Sequence, residues 1–219
     1  MLRWLPENVS AFGKEIDSLF YLIYYITGAV FILVTVLMVL FLILYRHREG
    51  RRAIYSHGNT ALEITWTVIP AVILIGLTFI SARTWARIKV EVPESDLTIR
   101  VEAYQFNWDF FYPGPDGRFR TDDDRKFTNE MHVPLGKPVT LIITSRDVIH
   151  SLFVPNLRFK QDAVPGRDIT AWFEATKAGK YETPCAELCG FGHSGMKGWL
   201  FVDTPEQYEE WVKKTWPGT

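Results

Sequence analysis

The sequence predicts a hairpin of two membrane-spanning helices followed by an all-β domain that carries a metal site. Three observations lead there. Two long apolar runs, Leu19–Tyr45 and Ala61–Ala82, occupy the first part of the chain. Beyond Arg83 the pattern changes to short alternating runs separated by turns rich in glycine and proline. Both cysteines then fall in one glycine-rich loop, Cys185–Met196, together with a histidine and a methionine.

Residues 1–18 mix polar and apolar side chains, without the basic start and apolar run of a secretory signal. They are read as an external N-terminal segment, with Asp17 and Ser18 as caps for the helix that follows. The run 19–45 is free of charge and long enough to cross a bilayer with some tilt. Tyr21, Tyr24 and Tyr25 near its start suit the membrane interface. Arg46, Arg48, Arg51 and Arg52 follow, offset only by Glu49, whereas Lys14 and Arg3 are the basic residues before the span. The positive-inside rule therefore places the loop 46–60 in the cytoplasm. The second span, 61–82, carries Glu63 near its start and Pro70 within it, and a kink accommodates the proline. Arg83, Arg87 and Lys89 after it run mildly against the rule. This hairpin leaves both the N-terminus and the domain 83–219 on the outer face.

The chain of 219 residues has a formal charge of −1, which lacks the basic footprint of a nucleic-acid binder. Two cysteines are too few for a disulfide framework. Eight tryptophans and fifteen phenylalanines suit interfacial belts and docking surfaces. Leu97–Tyr104 alternates as a half-buried strand, and Phe106, Trp108, Phe110 and Phe111 continue the alternation to a turn at Pro113–Gly117. Phe127–Val133 reads as a loop or short strand, and Pro134–Pro138 as a turn. Val139–Thr144, Ser151–Val154, Ile169–Glu174 and Trp199–Val202 are further strands. So many short strands argue a β-sandwich or barrel. Thr204 and Pro205 suit the N-cap and first position of a short terminal helix.

Thiolates, an imidazole and a thioether form a soft ligand set that favours copper, with zinc or an iron–sulfur cluster as weaker options. The bland alternative is one disulfide beside a stray histidine and methionine. It leaves Gly190, Gly192 and Gly195, which let the backbone fold tightly around something, without a purpose. His150, at the end of the run before Ser151–Val154, is the natural distant ligand.

Cys185-x3-Cys189-x3-His193-x2-Met196, with His150 in Asp147–Ser151, resembles subunit II of the haem-copper cytochrome c oxidases. Val154-Pro155 and Asp162–Arg167 match as well, and the resemblance covers essentially the whole chain. It implies a cupredoxin-like Greek-key sandwich or barrel holding a dinuclear CuA centre of two copper ions. Cys185 and Cys189 would bridge the coppers, with His150 and His193 as terminal ligands. Met196 and the backbone carbonyl of Glu187 would be weak axial ligands. The Glu187 side chain would reach magnesium or manganese shared with subunit I.

The implied function is that of subunit II of an aa3-type or related oxidase in a prokaryotic inner membrane. It takes electrons from cytochrome c and passes them to the haem of subunit I, where oxygen is reduced with proton translocation. Subunits I and III are the implied partners in the membrane. Leu62–Pro70 is similar to the family's second-helix motif, which implies a proton-path role for Glu63. Gln105 is followed by Phe106 where the family has an exposed tryptophan that receives the electron, so Phe106 and Trp108 are both candidates for that port. Asp122–Asp124 reads as a solvated loop, or as part of a negative patch with Asp147 or Asp162 that steers a basic cytochrome. No Cys-x-x-Cys-His haem motif occurs, so the donor is expected to be a separate protein. The rival readings are a membrane-anchored copper chaperone or sensor, which would favour one exchangeable copper, and another dicopper electron-transfer protein.

Overall fold

The structure, a computed structural model, describes residues 4–52, 55, 57–114 and 116–217. Arg3, Pro115 of the turn after Tyr112, and residues 53, 54 and 56 of the arginine-rich connection lie outside the described residues. The chain divides into two units. One is Glu15–Arg87, and the other joins the residues up to Lys14 with those from Ile88 onward.

The first unit is built on α1 (Gly13–Leu44) and α2 (Thr60–Lys89), both long and apolar enough to cross a membrane. No side chain of α2 is buried within the protein, so its apolar surface calls for another apolar medium. Each helix is longer than its uncharged run. α1 begins at Gly13, which puts Asp17 and Ser18 inside the helix and not at its cap. α2 continues through Arg83 and Arg87, because a helical backbone extends past the apolar side chains until something stops it. The polar ends also support each other, with Arg87 Nη1 2.6 Å from Glu15 Oε1. Pro70 lies within α2, and the hydroxyls of Thr65, Thr67 and Thr78 donate to carbonyls one turn back. Those bonds satisfy polar groups inside an apolar span.

The second unit holds β1 (Leu97–Tyr104), β2 (Asn107–Tyr112), β3 (Arg125–Thr128), β4 (Glu130–Pro134), β5 (Pro138–Ser145), β6 (His150–Val154), β7 (Phe159–Ala163), β8 (Ile169–Glu174), β9 (Gly179–Pro184), β10 (Lys197–Asp203) and α3 (Pro205–Thr215). A five-stranded sheet has the order β3-β2-β1-β5-β8, a second has β4-β10-β9, and β6 pairs with β7. β1–β5 and β4–β10 are parallel, in an otherwise antiparallel domain. The β-rich domain is as predicted, but no closed barrel forms among the described residues. Ile99 and Val101 of β1 stand opposite Leu141 and Ile143 of β5, all four fully buried, and anchor the core.

Three local expectations need correction. The alternation expected to run on from Tyr104 to Phe111 is broken at Gln105–Phe106, where the chain reverses into a hairpin with Tyr104 opposite Asn107. The turn carries no glycine or proline; bonds from distant residues hold it, as described below. Alternation also fails within β2, where Trp108, Asp109 and Phe110 are all buried. Asp109 is kept inside by Arg146 at 2.8 Å and the Thr128 hydroxyl at 2.7 Å. Finally, Phe127–Val133 resolves into β3 and β4, separated by Asn129 in a left-handed conformation that asparagine tolerates.

The segment before α1 is part of the β domain. Ser10 bridges Ala175, Val9 N–H donates to the Asn156 carbonyl at 2.9 Å, and Ala11 N–H donates to the Glu174 carbonyl at 3.1 Å. Val9 and Phe12 are buried, and Phe12 meets Trp172 edge-on. At the other end, Thr204 caps α3 in a reciprocal box with Gln207, and Pro205 takes the first turn as the sequence predicts.

Candidate metal centre

The ligand loop is the connection between two paired strands. Cys185 follows β9, Met196 precedes β10, and Cys185 N–H donates to the Met196 carbonyl at 3.0 Å, closing the base of the loop. Its first residues are drawn onto β6: Leu152 bridges Cys185, and Ala186 N–H donates to the Ser151 carbonyl at 2.9 Å. This brings the fully buried His150, first residue of β6, beside the cysteines.

The ligating atoms of His150, Cys185 and Cys189 lie within 4.8 Å of one another. The two Sγ atoms are 3.9 Å apart, and both thiols are free. A disulfide needs about 2.05 Å, so the bland alternative fails. Each sulfur has its own imidazole: His150 Nδ1 is 3.9 Å from Cys185 Sγ, and His193 Nδ1 is 3.5 Å from Cys189 Sγ. Met196, buried, places Sδ 3.8 Å from Cys189 Sγ, and the Glu187 carbonyl lies 3.2 Å from Cys185 Sγ. A first-row ion with bonds of ~2.3 Å to sulfur and ~2.0 Å to nitrogen separates its ligands by roughly 3–4 Å. The donor set thus fits metal in both spacing and softness, and sulfur with imidazole favours copper. Burial, with the Cys185 thiol beside it, pushes the Cys189 thiol up to about 11. Binding a metal at neutral pH therefore releases protons.

His150 is oriented by Asp147. Nε2 lies 2.8 Å from Asp147 Oδ1, which leaves Nδ1 to face Cys185. Asp147 is held below the usual carboxylate range; partial burial opposes this, and the bonds from His150, Gln105 and Val148 outweigh it. Gln105 in turn donates its side-chain amide to the Cys189 carbonyl at 2.6 Å. Sequence reasoning gave neither residue this place. The signal was local for Asp147, three positions before a ligand histidine, and was read only as surface charge.

Phe106 and Trp108 separate. Phe106, in the turn, is half-buried against the loop: a Cβ on Gly190 would lie 3.3 Å from its ring, and one on Gly192 2.5 Å. Trp108 is 0% exposed, packing edge-on at 6.1 Å from the His150 ring. The alternation expected to carry both on one strand fails here, because Phe106 belongs to the hairpin turn and Trp108 to β2. Around the centre the surface is apolar, with Leu188 79% and Phe191 106% exposed beside Val148 and Ile149. Glu187 is exposed, and Glu63 belongs to the other unit, in the first turn of α2. The Asp122–Asp124 loop is internally braced: Asp123 accepts from the Thr121 hydroxyl and Asp124 from Arg120 N–H, both at 2.6 Å.

A β domain joined to an apolar helical hairpin, with free thiols, a thioether and one imidazole in a single loop and a second imidazole brought to it from β6, fits a membrane-anchored electron-transfer metalloprotein of the copper type. The comparisons with known proteins agree. The family model for the cytochrome c oxidase subunit II transmembrane domain matches residues 3–84, and that for its periplasmic domain matches residues 115–200. Cytochrome c oxidase subunit 2 of Thermostichus vulcanus is 33% identical, over 96% of this chain and 78% of that protein. Probable cytochrome c oxidase subunit 2 of Rickettsia bellii (strain RML369-C) is 36% identical, over 91% of this chain and 78% of that protein. The crystal structure of the periplasmic domain of subunit II of cytochrome oxidase of Bradyrhizobium japonicum superposes with a TM-score of 0.50 at 32% identity, covering 57% of this chain and 96% of that one.

The chain belongs to the cytochrome c oxidase subunit II family. It is a multi-pass inner-membrane protein with an external domain, and a non-catalytic subunit through which electrons enter an oxidase complex.

Proposed function

We propose that this chain receives electrons from a cytochrome c at a dinuclear copper centre and delivers them to the haem of subunit I in an aa3-type or related oxidase. The observation that carries the reading is the convergence of His150, Cys185 and Cys189, with His193 and Met196 at Cys189. Cys185, Cys189, His150 and His193 would hold the two coppers, with Met196 and the Glu187 carbonyl as weaker donors. When bound, two coppers sharing two thiolates supply a one-electron site whose charge is spread over the whole core, so that little rearranges on reduction. The protein's own part is to keep both imidazoles on their sulfurs and to hold the cluster dry. The burial of His150, Cys185, Cys189 and Met196 supports that role.

The exposed rim of Val148, Ile149, Leu188 and Phe191 suits docking to protein partners, which we read as subunit I and the donor cytochrome. Phe106, against the loop backbone, is the better candidate for the electron port. The Glu187 carboxylate, a hard donor on the exposed side of a loop residue, would hold magnesium or manganese. Subunit III is the further partner this reading implies.

The cupredoxin-like Greek key is supported by the two parallel pairings among antiparallel strands. The N-terminal segment bonds to Asn156 and Glu174 of the same unit to which the chain returns at Ile88, so both outer helix ends belong on one side of the membrane. The domains are then an external segment 1–18, a hairpin 19–82 with cytoplasmic loop 46–60, and an external copper domain 83–219. Glu63 thereby falls on the cytoplasmic side, suited to a proton inlet.

The test is copper per chain and electron paramagnetic resonance of the full chain in detergent, reduced and loaded with copper. Two coppers with a seven-line hyperfine pattern from one shared electron are expected. One copper with four lines would reject the dinuclear centre and favour a chaperone or sensor.

A further inference from the structure

Gln105 and Asp147 are not among the ligands, yet between them they touch both ligand-bearing segments. Gln105 donates its backbone N–H to Asp147 Oδ2 at 2.7 Å and its side-chain amide to the Cys189 carbonyl at 2.6 Å. The other Asp147 oxygen accepts Val148 N–H at 2.7 Å and lies 2.8 Å from His150 Nε2. An unbroken run of hydrogen bonds thus passes from Cys189 through Gln105 and Asp147 to His150. It is separate from the strand-like bond of Ala186 to Ser151 on the Cys185 side. The loop is shaped to admit it: a Cβ on Gly190, next to Cys189, would lie 2.7 Å from the Gln105 amide nitrogen.

We propose that Gln105 and Asp147 are a positioning pair that locks the cysteine loop and His150 into one body, and so sets copper affinity and reduction potential. The inference rests on the copper reading above and adds to it two residues that touch no metal. The Asp147 carboxylate on Nε2 fixes the tautomer that leaves Nδ1 for the metal and raises the basicity of the ring. A more basic ligand favours the oxidised metal and lowers the potential. Gln105 contributes from the other side, because the Cys189 carbonyl cannot rotate away without breaking its bond, and the sulfur moves with that backbone.

The experiment compares the full chain in detergent with Gln105→Ala, Asp147→Asn, Asp147→Ala and the Gln105→Ala/Asp147→Ala double variant. Copper itself is the probe, with affinity read by chelator competition, midpoint potential by redox titration, and folding by thermal unfolding of the metal-free chain. Each single variant should lose copper affinity about 10–100-fold, the range for outer partners of ligand histidines. Asp147→Ala should raise the midpoint potential, and Asp147→Asn, which keeps an acceptor oxygen without the charge, should fall between it and the parent. The double variant should lose no more than Asp147→Ala alone, since both substitutions break one chain of bonds. Parental affinity and potential in Asp147→Asn and Gln105→Ala would overturn the proposal. So would additive losses in the double variant, or a copper loss that tracks unfolding alone. The copper count of the parent chain tests the dinuclear reading, whereas the variant-to-parent ratios test the pair whatever that count is.

Discussion

A Cβ placed on Gly192 would stand 2.5 Å from Cδ2 of Phe106, so the aromatic ring of the β1–β2 turn rests directly on the backbone of the ligand loop. Gly192 has an ordinary φ of −88°, and the demand for glycine there is one of space. Gly192→Ala should therefore push the ring off the loop and cost about 1–3 kcal/mol, as overpacking does. Gly195, with nothing within 4 Å of its Cβ position, is the control. Gly195→Ala should stay within ~0.5 kcal/mol. Denaturant unfolding of both variants checks the pair, and equal stabilities would mean that the ring yields without cost.

The two aromatic candidates for the electron port make opposite predictions. Trp108 is fully buried beside His150, and Trp108→Ala should cost about 3–5 kcal/mol through the cavity it leaves. Phe106 is half-buried in a turn, and Phe106→Ala should cost only about 1–2 kcal/mol. If Phe106 is the port, its alanine variant keeps its copper but accepts electrons from cytochrome c more slowly in stopped-flow measurements. An unchanged rate would remove it from the path.

What could be read from the sequence divides along a physical line. Cys185, Cys189, His193 and Met196 are close in the chain, and the loop that closes at Cys185–Met196 brings their spacing into one place. His150 is distant but carries a local strand pattern. Thr204 and Pro205 are likewise local signals, and the cap forms as they predict. The hairpin at Gln105–Phe106 has no such signal. It is held by Asp147 and by the carbonyl of Cys189, both far along the chain, so alternation alone ran straight through it. The burial of Asp109 escaped for the same reason, since Arg146 and Thr128 supply its partners. The cap expected at Asp17 and Ser18 falls inside α1 because polarity marks the end of an apolar run, whereas the helical backbone continues past it.

Tyr112 and Tyr208 predict alkaline behaviour. Burial, with Asp203 nearby, pushes the Tyr208 phenol up to about 12. Burial also raises Tyr112 well above its ordinary range, and that hydroxyl donates to the His132 carbonyl at 2.9 Å. The folded state keeps protons that the unfolded chain releases above pH ~10. Their contribution to stability is therefore complete below pH ~10 and is lost as pH rises toward the folded values. Absorbance at 295 nm should show two tyrosines that ionise only with alkaline unfolding, and Tyr208→Phe should flatten the fall in stability. Early ionisation of every tyrosine, with the fold intact, would contradict the burial.

Met196 offers the sharpest separation of ligand from core. The side chain is 1% exposed, and its Sδ lies 3.8 Å from Cys189 Sγ, so packing and ligation both account for its place. Leucine has nearly the same volume, and Met196→Leu should cost less than about 1.5 kcal/mol. The backbone bond from Cys185 N–H to the Met196 carbonyl survives the change. Only the thioether is lost. A weak axial donor stabilises the oxidised metal more than the reduced one, so its removal should raise the midpoint potential while two coppers remain bound. Redox titration of the loaded full chain measures this directly. A raised potential at full copper content assigns Met196 to the metal, whereas an unchanged potential in a folded, loaded variant leaves it as core.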